Sequence, residues 1–248
     1  MLKRLLDIIV ALTGLVVASI VIVPVCILVW LQDFKSPFYM GPRVARGGGL
    51  FKMVKLRSMV IRADKSGVDS TASNDPRITP VGRFIRRYKL DELTQLWNVL
   101  WGDMSLVGPR PNVKRETDLY TPIERRLLDV RPGITDFSSI VFSDEGEILK
   151  GRPDPDIAYN QLIRPGKSML GLFYIDHRSF FVDLKLIALT AVAIASRPRA
   201  LAGVQAMLRK LGADQQLLKI AAREMPLEPM PPPGGSKIVT SRDGNPFS

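Results

Sequence analysis

Two adjacent carboxylates, Asp91 and Glu92, are the residues of this sequence best suited to chemistry on a phosphate group. Several arginines surround them in the sequence, namely Arg83, Arg86, Arg87 and, in a Gly-Pro-Arg-Pro turn, Arg110. Planar guanidinium groups bind phosphate oxygens through paired hydrogen bonds. A carboxylate among such groups can attack phosphorus, or can bind a metal ion that bridges phosphates.

The same two acids also have a purely structural explanation. Apolar residues recur after them at helical spacing, at Leu90, Leu93, Leu96, Trp97, Leu100 and Trp101, which predicts an amphipathic helix with one buried face. Acidic residues are common as caps at the start of a helix, where they face the positive end of its dipole. Adjacent helical residues project about 100° apart, so Asp91 and Glu92 are not expected to do the same job.

An apolar segment near the N-terminus predicts a membrane anchor. Residues Ile8 to Gln32 carry no charge, and a helix needs roughly 20 such residues to cross a membrane. The run is longer than the roughly 7–15 residues of a signal-peptide core, so we expect the anchor to remain uncleaved. Basic residues flank both ends, which favours placing both ends on the cytoplasmic side. Pro24 supplies a break for such a re-entrant helix, and an ordinary spanning helix with a tolerated proline is the alternative.

Between the anchor and the acidic pair, the sequence predicts a β-hairpin. Phe38–Met40 and Leu50–Val54 form its strands, around the turn residues 47–49. The three glycines of that turn lack the Gly-Lys-Ser/Thr that a phosphate-binding P-loop requires. The polar segment from Ile61 to Pro80 is predicted to be a loop.

Beyond Pro111 the sequence predicts mostly supporting structure. The expected elements are helix over 112–130 with a break at Pro122, a turn over 131–135, loop as far as 159, an extended segment at 173–178, amphipathic helices at the membrane interface from 180 to 223, and a disordered tail from 225. A helix of the hydrophobic core is the alternative for residues 180–196.

The charge of the chain indicates anionic partners. The formal net charge is +11, and 14 Lys and Arg residues against 6 Asp and Glu lie between Phe34 and Pro111. One cysteine, Cys26, and one histidine, His177, exclude a disulfide framework, Cys-based zinc sites and His-rich metal sites. Nucleic acid is disfavoured as a partner, because aromatic residues make up only 7% of the chain and form no stacking pattern.

Several segments resemble the bacterial sugar transferase family, the small monotopic polyprenyl-phosphate phosphoglycosyltransferases that initiate glycan assembly on a lipid carrier. The matching segments, in the order of the family, are Lys3–Leu12, Lys55–Met59, Asp75–Pro111 and Arg131–Thr135. The resemblance departs at the hinge of the membrane helix, where Ser19 is followed by Ile20 rather than proline. It also departs at Lys89, Thr94 and Asp136, where the family usually has other residues.

The resemblance implies a two-step transfer. Asp91 would attack the β-phosphate of a UDP-sugar, UMP would leave, and polyprenyl (undecaprenyl) phosphate would take the phosphosugar from the covalent intermediate. Mg²⁺ would be required, held by Asp91 with the substrate phosphates, and Glu92 would assist. The residues expected to bind phosphate or substrate are Arg86, Arg110, Lys55, Arg57 and Thr135.

These observations predict a mainly helical α+β protein with a short hairpin. The expected divisions are a membrane anchor at 1–33, a catalytic domain at 34–185, interfacial helices at 186–224 and a disordered tail at 225–248. The resemblance implies the bacterial cytoplasmic membrane as the location, with the catalytic domain on the cytoplasmic face and lipids as neighbours. Formation of a homo-oligomer stays open. The alternative function is that of a non-catalytic basic membrane protein, which binds anionic lipid or scaffolds a glycan-assembly complex.

Overall fold

The N-terminal apolar run forms a single long helix, α1 (Leu2–Leu31), in the computed structural model, which describes residues 2–242. It is long and apolar enough to cross a membrane. The helix continues through Pro24 without interruption, so the expected break is not seen there, and the re-entrant geometry stays a prediction.

Both ends of α1 contact the rest of the protein. Near its start, the Asp7 carboxylate accepts a hydrogen bond of 2.9 Å from the backbone N–H of Leu106. Just beyond its end, the Asp33 carboxylate accepts one of 2.6 Å from Arg57. Between them, Gly14 lets the Leu96 side chain approach so closely that a Cβ at position 14 would lie 2.9 Å from it. The helix therefore lies along the protein rather than projecting away from it.

The predicted hairpin is confirmed, with longer strands than expected. Strands β1 (Phe38–Val44) and β2 (Leu50–Leu56) pair antiparallel, and Tyr39 lies directly opposite Lys55. The turn that joins them places Gly47 and Gly48 at φ values of 79° and 86°, a left-handed conformation that glycine adopts without strain.

Helix forms around the acidic pair as predicted, but in separate pieces. These are α2 (Pro80–Arg87), α3 (Leu90–Leu93) and α4 (Leu96–Trp101). The Thr94 hydroxyl, between α3 and α4, donates to the backbone carbonyl of Val54. The Asn98 amide donates to the carbonyl of Lys52 and accepts from the N–H of Val54. These bonds hold both short helices on β2.

A second small sheet joins the segments that contain Gly108 and Gly133. Strand β3 (Ser105–Val107) pairs parallel with β4 (Gly133–Thr135), so the turn expected over 131–135 is partly a strand. Gly108 and Gly133 meet so closely that a Cβ on Gly133 would lie 2.1 Å from the Gly108 nitrogen. Only glycine fits at this crossing.

The segment after β3 is more helical than predicted. It contains α5 (Lys114–Asp118), α6 (Phe137–Val141), α7 (Glu145–Leu149), α8 (Pro155–Ala158) and α9 (Arg164–His177). The loop expected up to residue 159 is wrong, because Asp136 and Asp154 accept hydrogen bonds from backbone N–H groups and cap α6 and α8.

Two other expectations for this half of the protein are also corrected. The helix expected over 112–130 is reduced to α5 and a 3₁₀ turn at Glu124–Asp129. The segment 173–178 is not extended, because Leu170, Leu172 and Tyr174 are buried as part of α9. His177 ends that helix, stacked on the Phe173 ring at 4.0 Å.

Helices follow α9 as expected, and they complete the core. They are α10 (Phe180–Ala195), α11 (Arg197–Lys210) and α12 (Gln215–Ala222). Leu186, Val204 and Leu208 are fully buried in one hydrophobic cluster with α6 and α9. The mainly helical α+β class is thus confirmed, and the domain boundaries stay predictions.

The C-terminal segment from 225 to 242 has no helix or strand, yet it lies against the protein. The backbone N–H of Met230 donates to the Gln161 carbonyl, and the Gln161 side chain donates to the Val239 carbonyl. Arg242 pairs with Asp154 at 2.8 Å. Residues 243–248, for which disorder was also expected, lie outside the described residues.

Candidate active site

A cavity of about 570 Å³ lies between the hairpin, α2, α3 and the helices after β4. It is lined by six of the seven residues that the sequence indicated, namely Lys55, Arg57, Arg86, Asp91, Glu92 and Arg110. Thr135 does not line it. This residue is buried, and its hydroxyl is hydrogen-bonded to that of Thr190 at 2.6 Å.

Asp91 and Lys55 lie next to each other in the wall of the cavity. Asp91 is on α3 and Lys55 on β2, and 3.7 Å separates the Lys55 Nζ from the Asp91 Oδ2. The Asp91 side chain is 14% exposed, and the Lys55 side chain is 24% exposed. Burial lowers the pKa of Lys55, and the negative charge of Asp91 acts against that effect. The 3.7 Å gap is too long for a hydrogen bond, so it leaves the carboxylate oxygen accessible to an incoming group.

Glu92 is held differently from its neighbour. Its Oε1 lies 3.1 Å from the Arg110 Nη1, and that nitrogen also donates to the Ile134 carbonyl. Burial acts to raise the pKa of Glu92, but the positive charges of Arg110, Lys89 and Lys55 outweigh it and hold the pKa below its ordinary value. Glu92 is therefore a fixed anion that orients Arg110, as the roughly 100° offset of adjacent residues allows.

Arg86 and Arg57 differ in how far they are available to a ligand. Arg86 uses its Nε to donate to the Ser58 hydroxyl at 3.0 Å, which leaves its two amino groups for the cavity. Burial lowers the pKa of Arg86. Arg57 is committed to Asp33 and to the Ser36 carbonyl, so it fastens the end of α1 to β2. Its role in substrate binding stays a prediction.

The structure adds a cation that the sequence analysis did not single out, Arg43 on β1. It lines the same cavity, and within residues 2–242 it forms no ion pair with a carboxylate within 4.0 Å. Burial lowers its pKa, and its positive charge acts on Lys55 and is itself affected by Arg110. The hairpin register could have indicated it, because Arg43 lies on the same face of β1 as Tyr39, which pairs with Lys55.

Further polar residues line the cavity from several other parts of the chain. They are Tyr39, Arg62, Arg77, Lys89, Asn112, Glu116, Ser139, Glu145, Tyr159 and Lys167. Lys167 forms an ion pair with Glu145, and its Nζ lies 5.3 Å from the centre of the Tyr159 ring. No sequence pattern marked these residues, since long-range packing brings them together.

The carboxylates of the cavity suit one magnesium ion bound jointly with a substrate. Within residues 2–242 no cluster of three or more His, Cys, Asp or Glu residues could hold a metal ion alone. Mg²⁺ commonly keeps several waters and takes one or two carboxylates plus substrate phosphates. Asp91 can supply one such carboxylate ligand. The requirement of the reaction for Mg²⁺ stays a prediction.

Comparisons with known proteins find one matching family model and several similar proteins. The model of the family described as bacterial sugar transferase matches residues 1–197. A Bacillus subtilis protein described as an uncharacterized sugar transferase, EpsL, is 36% identical over 189 residues, covering 76% of this chain and 85% of that protein.

Two other relatives are matched over a smaller part of their length. A Bacillus subtilis protein provisionally named undecaprenyl-phosphate N-acetylgalactosaminyl 1-phosphate transferase is 50% identical over 109 residues, which is 44% of this chain and 61% of that protein. The undecaprenyl-phosphate galactose phosphotransferase of Salmonella typhimurium is 41% identical over 152 residues, which is 54% of this chain and 31% of that protein.

Proposed function

Because this chain belongs to the bacterial sugar transferase family, we propose that it transfers a sugar 1-phosphate group from a UDP-sugar to a polyprenyl phosphate and releases UMP. The observation that carries the proposal is the Asp91 carboxylate, which lies among Lys55, Arg86 and Arg110 in one cavity. The reaction would begin glycan assembly on a lipid carrier, and the names of two relatives include undecaprenyl phosphate.

In the first step, an Asp91 carboxylate oxygen attacks the β-phosphorus of the UDP-sugar. A bond forms between that oxygen and phosphorus, and the bond from phosphorus to the bridging oxygen breaks. UMP leaves with the electron pair. Lys55 and Arg43 supply positive charge for the phosphate oxygens. Arg86 hydrogen-bonds these oxygens through its two free amino groups.

In the second step, a phosphate oxygen of polyprenyl phosphate attacks the same phosphorus, and the Asp91 carboxylate leaves. An acyl phosphate is reactive enough to be passed on in this way. Glu92 orients Arg110 throughout, because it holds that guanidinium from one side while the Ile134 carbonyl holds it from the other. Asp91 and the substrate phosphates would hold Mg²⁺, which supplies further positive charge to the transferring group.

A lipid substrate requires that the cavity lie beside a membrane, and α1 supports this. Its apolar side chains are exposed along most of its length, including Val16, Val17 and Ile20. Other elements also expose large apolar side chains, namely Trp97, Trp101, Phe181 and Ile194. A helix that crosses the hydrocarbon core would separate its ends by about 30 Å along the membrane normal. Both ends of α1 instead contact the same domain. We therefore propose a re-entrant α1, with the catalytic domain on the cytoplasmic face of the bacterial cytoplasmic membrane.

The test is UMP release by the purified protein with undecaprenyl phosphate, Mg²⁺ and a panel of UDP-sugars. We expect release with at least one sugar, and an Asp91→Asn loss of at least about 10³-fold, since a carboxamide is a poor nucleophile. Asp118→Asn is the matched control, because Asp118 is exposed and pairs with Lys114 on its own helix. A UDP-sugar incubated without lipid should label the wild type with phosphosugar and leave Asp91→Asn unlabelled.

Near-normal turnover by Asp91→Asn would overturn the assignment of the nucleophile. No UMP from any UDP-sugar, together with salt-sensitive binding to anionic lipid, would favour the non-catalytic alternative.

A further inference from the structure

The cavity has two parts with different charge, and the Asp91 mechanism uses only one of them. The charged neighbours of Asp91 are Lys55, Arg86 and Arg110. Elsewhere on the wall is Glu116, on α5. The charges that act on Glu116 are those of Arg164, Asp156 and Asp69. A ligand with a charged part and an uncharged part suits such a cavity.

The carboxyl group of Glu116 has an unused hydrogen-bonding atom. Its Oε2 is buried and has no partner within residues 2–242. The positive groups around it are already engaged, because Arg115 pairs with Asp69 at 2.7 Å and Arg164 pairs with Glu124 at 2.6 Å. A buried polar atom without a partner is unfavourable, so a bound ligand that supplies the partner gains affinity.

The ionisation of Glu116 is also unusual for a carboxyl. Burial raises its pKa to about 7, Asp156 and Asp69 add to the rise, and Arg164 and the Asn160 side chain oppose it. The groups that face it are thus Asp69 from the loop before α2, Asp156 from α8, and Arg164 and Tyr159 from the start of α9 and the turn before it. A carboxyl that is protonated near neutral pH can both donate and accept a hydrogen bond, and it does not repel a neutral ligand group.

We propose that Glu116 hydrogen-bonds an uncharged polar group of the nucleotide sugar, either the uracil edge or a sugar hydroxyl, and thereby contributes to selection of the donor. This inference rests on the proposed function. The diphosphate is not the expected partner of Glu116, because Arg115 and Arg164 are already paired with other carboxylates within residues 2–242. Lys55, Arg43 and Arg86 line the same cavity and are better placed to bind phosphate oxygens. A site that is built to hydrogen-bond a substrate group rejects analogues that lack the group.

The test compares Glu116→Leu and Glu116→Gln with the wild type, by UMP-release kinetics from pH 6 to 8.5. Glu116→Leu should raise the donor KM by about tenfold or more and change kcat little, because it removes a binding contact and no reacting group. The wild-type donor KM should rise above about pH 7, as the raised pKa means that the group loses its proton there. Glu116→Gln keeps a donor and an acceptor at every pH, so its KM should stay low and lose this pH dependence.

Inhibition by UMP identifies which group is bound. A higher Ki for UMP in Glu116→Leu assigns the contact to the uridine part, whereas an unchanged Ki with a sugar-dependent rise in KM assigns it to the sugar. Either result supports the proposal. Asp118→Asn, at an exposed position two residues away on the same short helix, is the control and should match the wild type.

An unchanged donor KM in Glu116→Leu for every sugar, or a Glu116→Gln profile that retains the wild-type rise, would overturn the role of Glu116. Titration calorimetry with UDP-sugar, with Asp91→Asn present in both proteins to prevent covalent transfer, gives the same comparison without turnover. Wild-type protein that binds the donor but releases no UMP would therefore count against the proposed reaction and not against this contact. Should Glu116→Leu unfold, as judged by its thermal transition, the isosteric Glu116→Gln variant still decides the matter through its pH profile.

Discussion

Lys55 and Asp91 are brought to 3.7 Å from each other by residues next to them in sequence. Val54, which precedes Lys55, accepts a hydrogen bond from the hydroxyl of Thr94, three residues after Asp91. The short helix that carries the carboxylate is thereby set in register with the strand that carries the ammonium group. Because this hydrogen bond involves the backbone of β2, it fixes the positions from which the two side chains approach each other.

The pH dependence of the proposed reaction should report on Lys55. Burial lowers its pKa, so Lys55 loses its positive charge at a lower pH than a free lysine does. We expect kcat/KM for UMP release to fall on the alkaline side earlier than the ordinary lysine pKa of about 10.4 would require. Lys55→Arg keeps its charge at high pH and should move this fall to higher pH. Lys55→Met should lower activity by about 10²-fold at pH values where the wild-type lysine is charged, and the difference should shrink as the wild type loses that charge. An alkaline limb that is the same in Lys55→Arg and the wild type would contradict the assignment.

Removal of the Arg43 guanidinium should weaken donor binding. Arg43→Gln is expected to raise the UDP-sugar KM by about 10- to 100-fold, since one hydrogen-bonded charge is lost from the phosphate part of the cavity. The matched control is Arg46→Gln, in the exposed turn of the same hairpin. Equal kinetics for the two variants would show that Arg43 does not contact the donor.

The crossing of Gly108 and Gly133 should tolerate no side chain. Gly133→Ala would place a Cβ 2.1 Å from the Gly108 nitrogen, and the backbone must move because no flexible side chain can give way. We expect a loss of at least about 3 kcal/mol in the free energy of unfolding, measured by thermal or denaturant unfolding. Gly49→Ala is the control, because Gly49 has a φ of −66° and no atom within 4 Å of the added Cβ. Equal stability of the two variants would be inconsistent with the close crossing.

The two ends of α1 should react from the same side of the membrane. Single cysteines at Leu2 and Gln32, introduced after Cys26→Ala, lie at opposite ends of the helix and at exposed positions. In intact cells, a membrane-impermeant thiol reagent should label neither, whereas in inverted vesicles it should label both. Labelling of either cysteine from the outside would mean that α1 spans the membrane.

Much of the local structure was predictable because its causes lie close together in the chain. The hairpin follows from β-forming residues around glycines, and the helices near Asp91 follow from apolar residues at helical spacing. Short helices that begin at side-chain caps, such as those of Asp136 and Asp154, contain too few residues for apolar periodicity to predict them. Periodicity does not predict the break between α3 and α4 either, since Thr94 at that break bonds to a strand 40 residues earlier.

The amino-acid sequence by itself determined the chemistry that is available: the Asp91–Glu92 pair, the surrounding arginines, the apolar anchor and the resemblance that joins them. Residue types and short spacings carry that information, because they do not depend on distant parts of the chain. Only the tertiary structure decided which groups share the cavity. It brought in Arg43 and Glu116, committed Arg57 to Asp33, and left Thr135 against Thr190. Those outcomes depend on packing between segments that are far apart in sequence, and periodicity along the chain does not record such contacts.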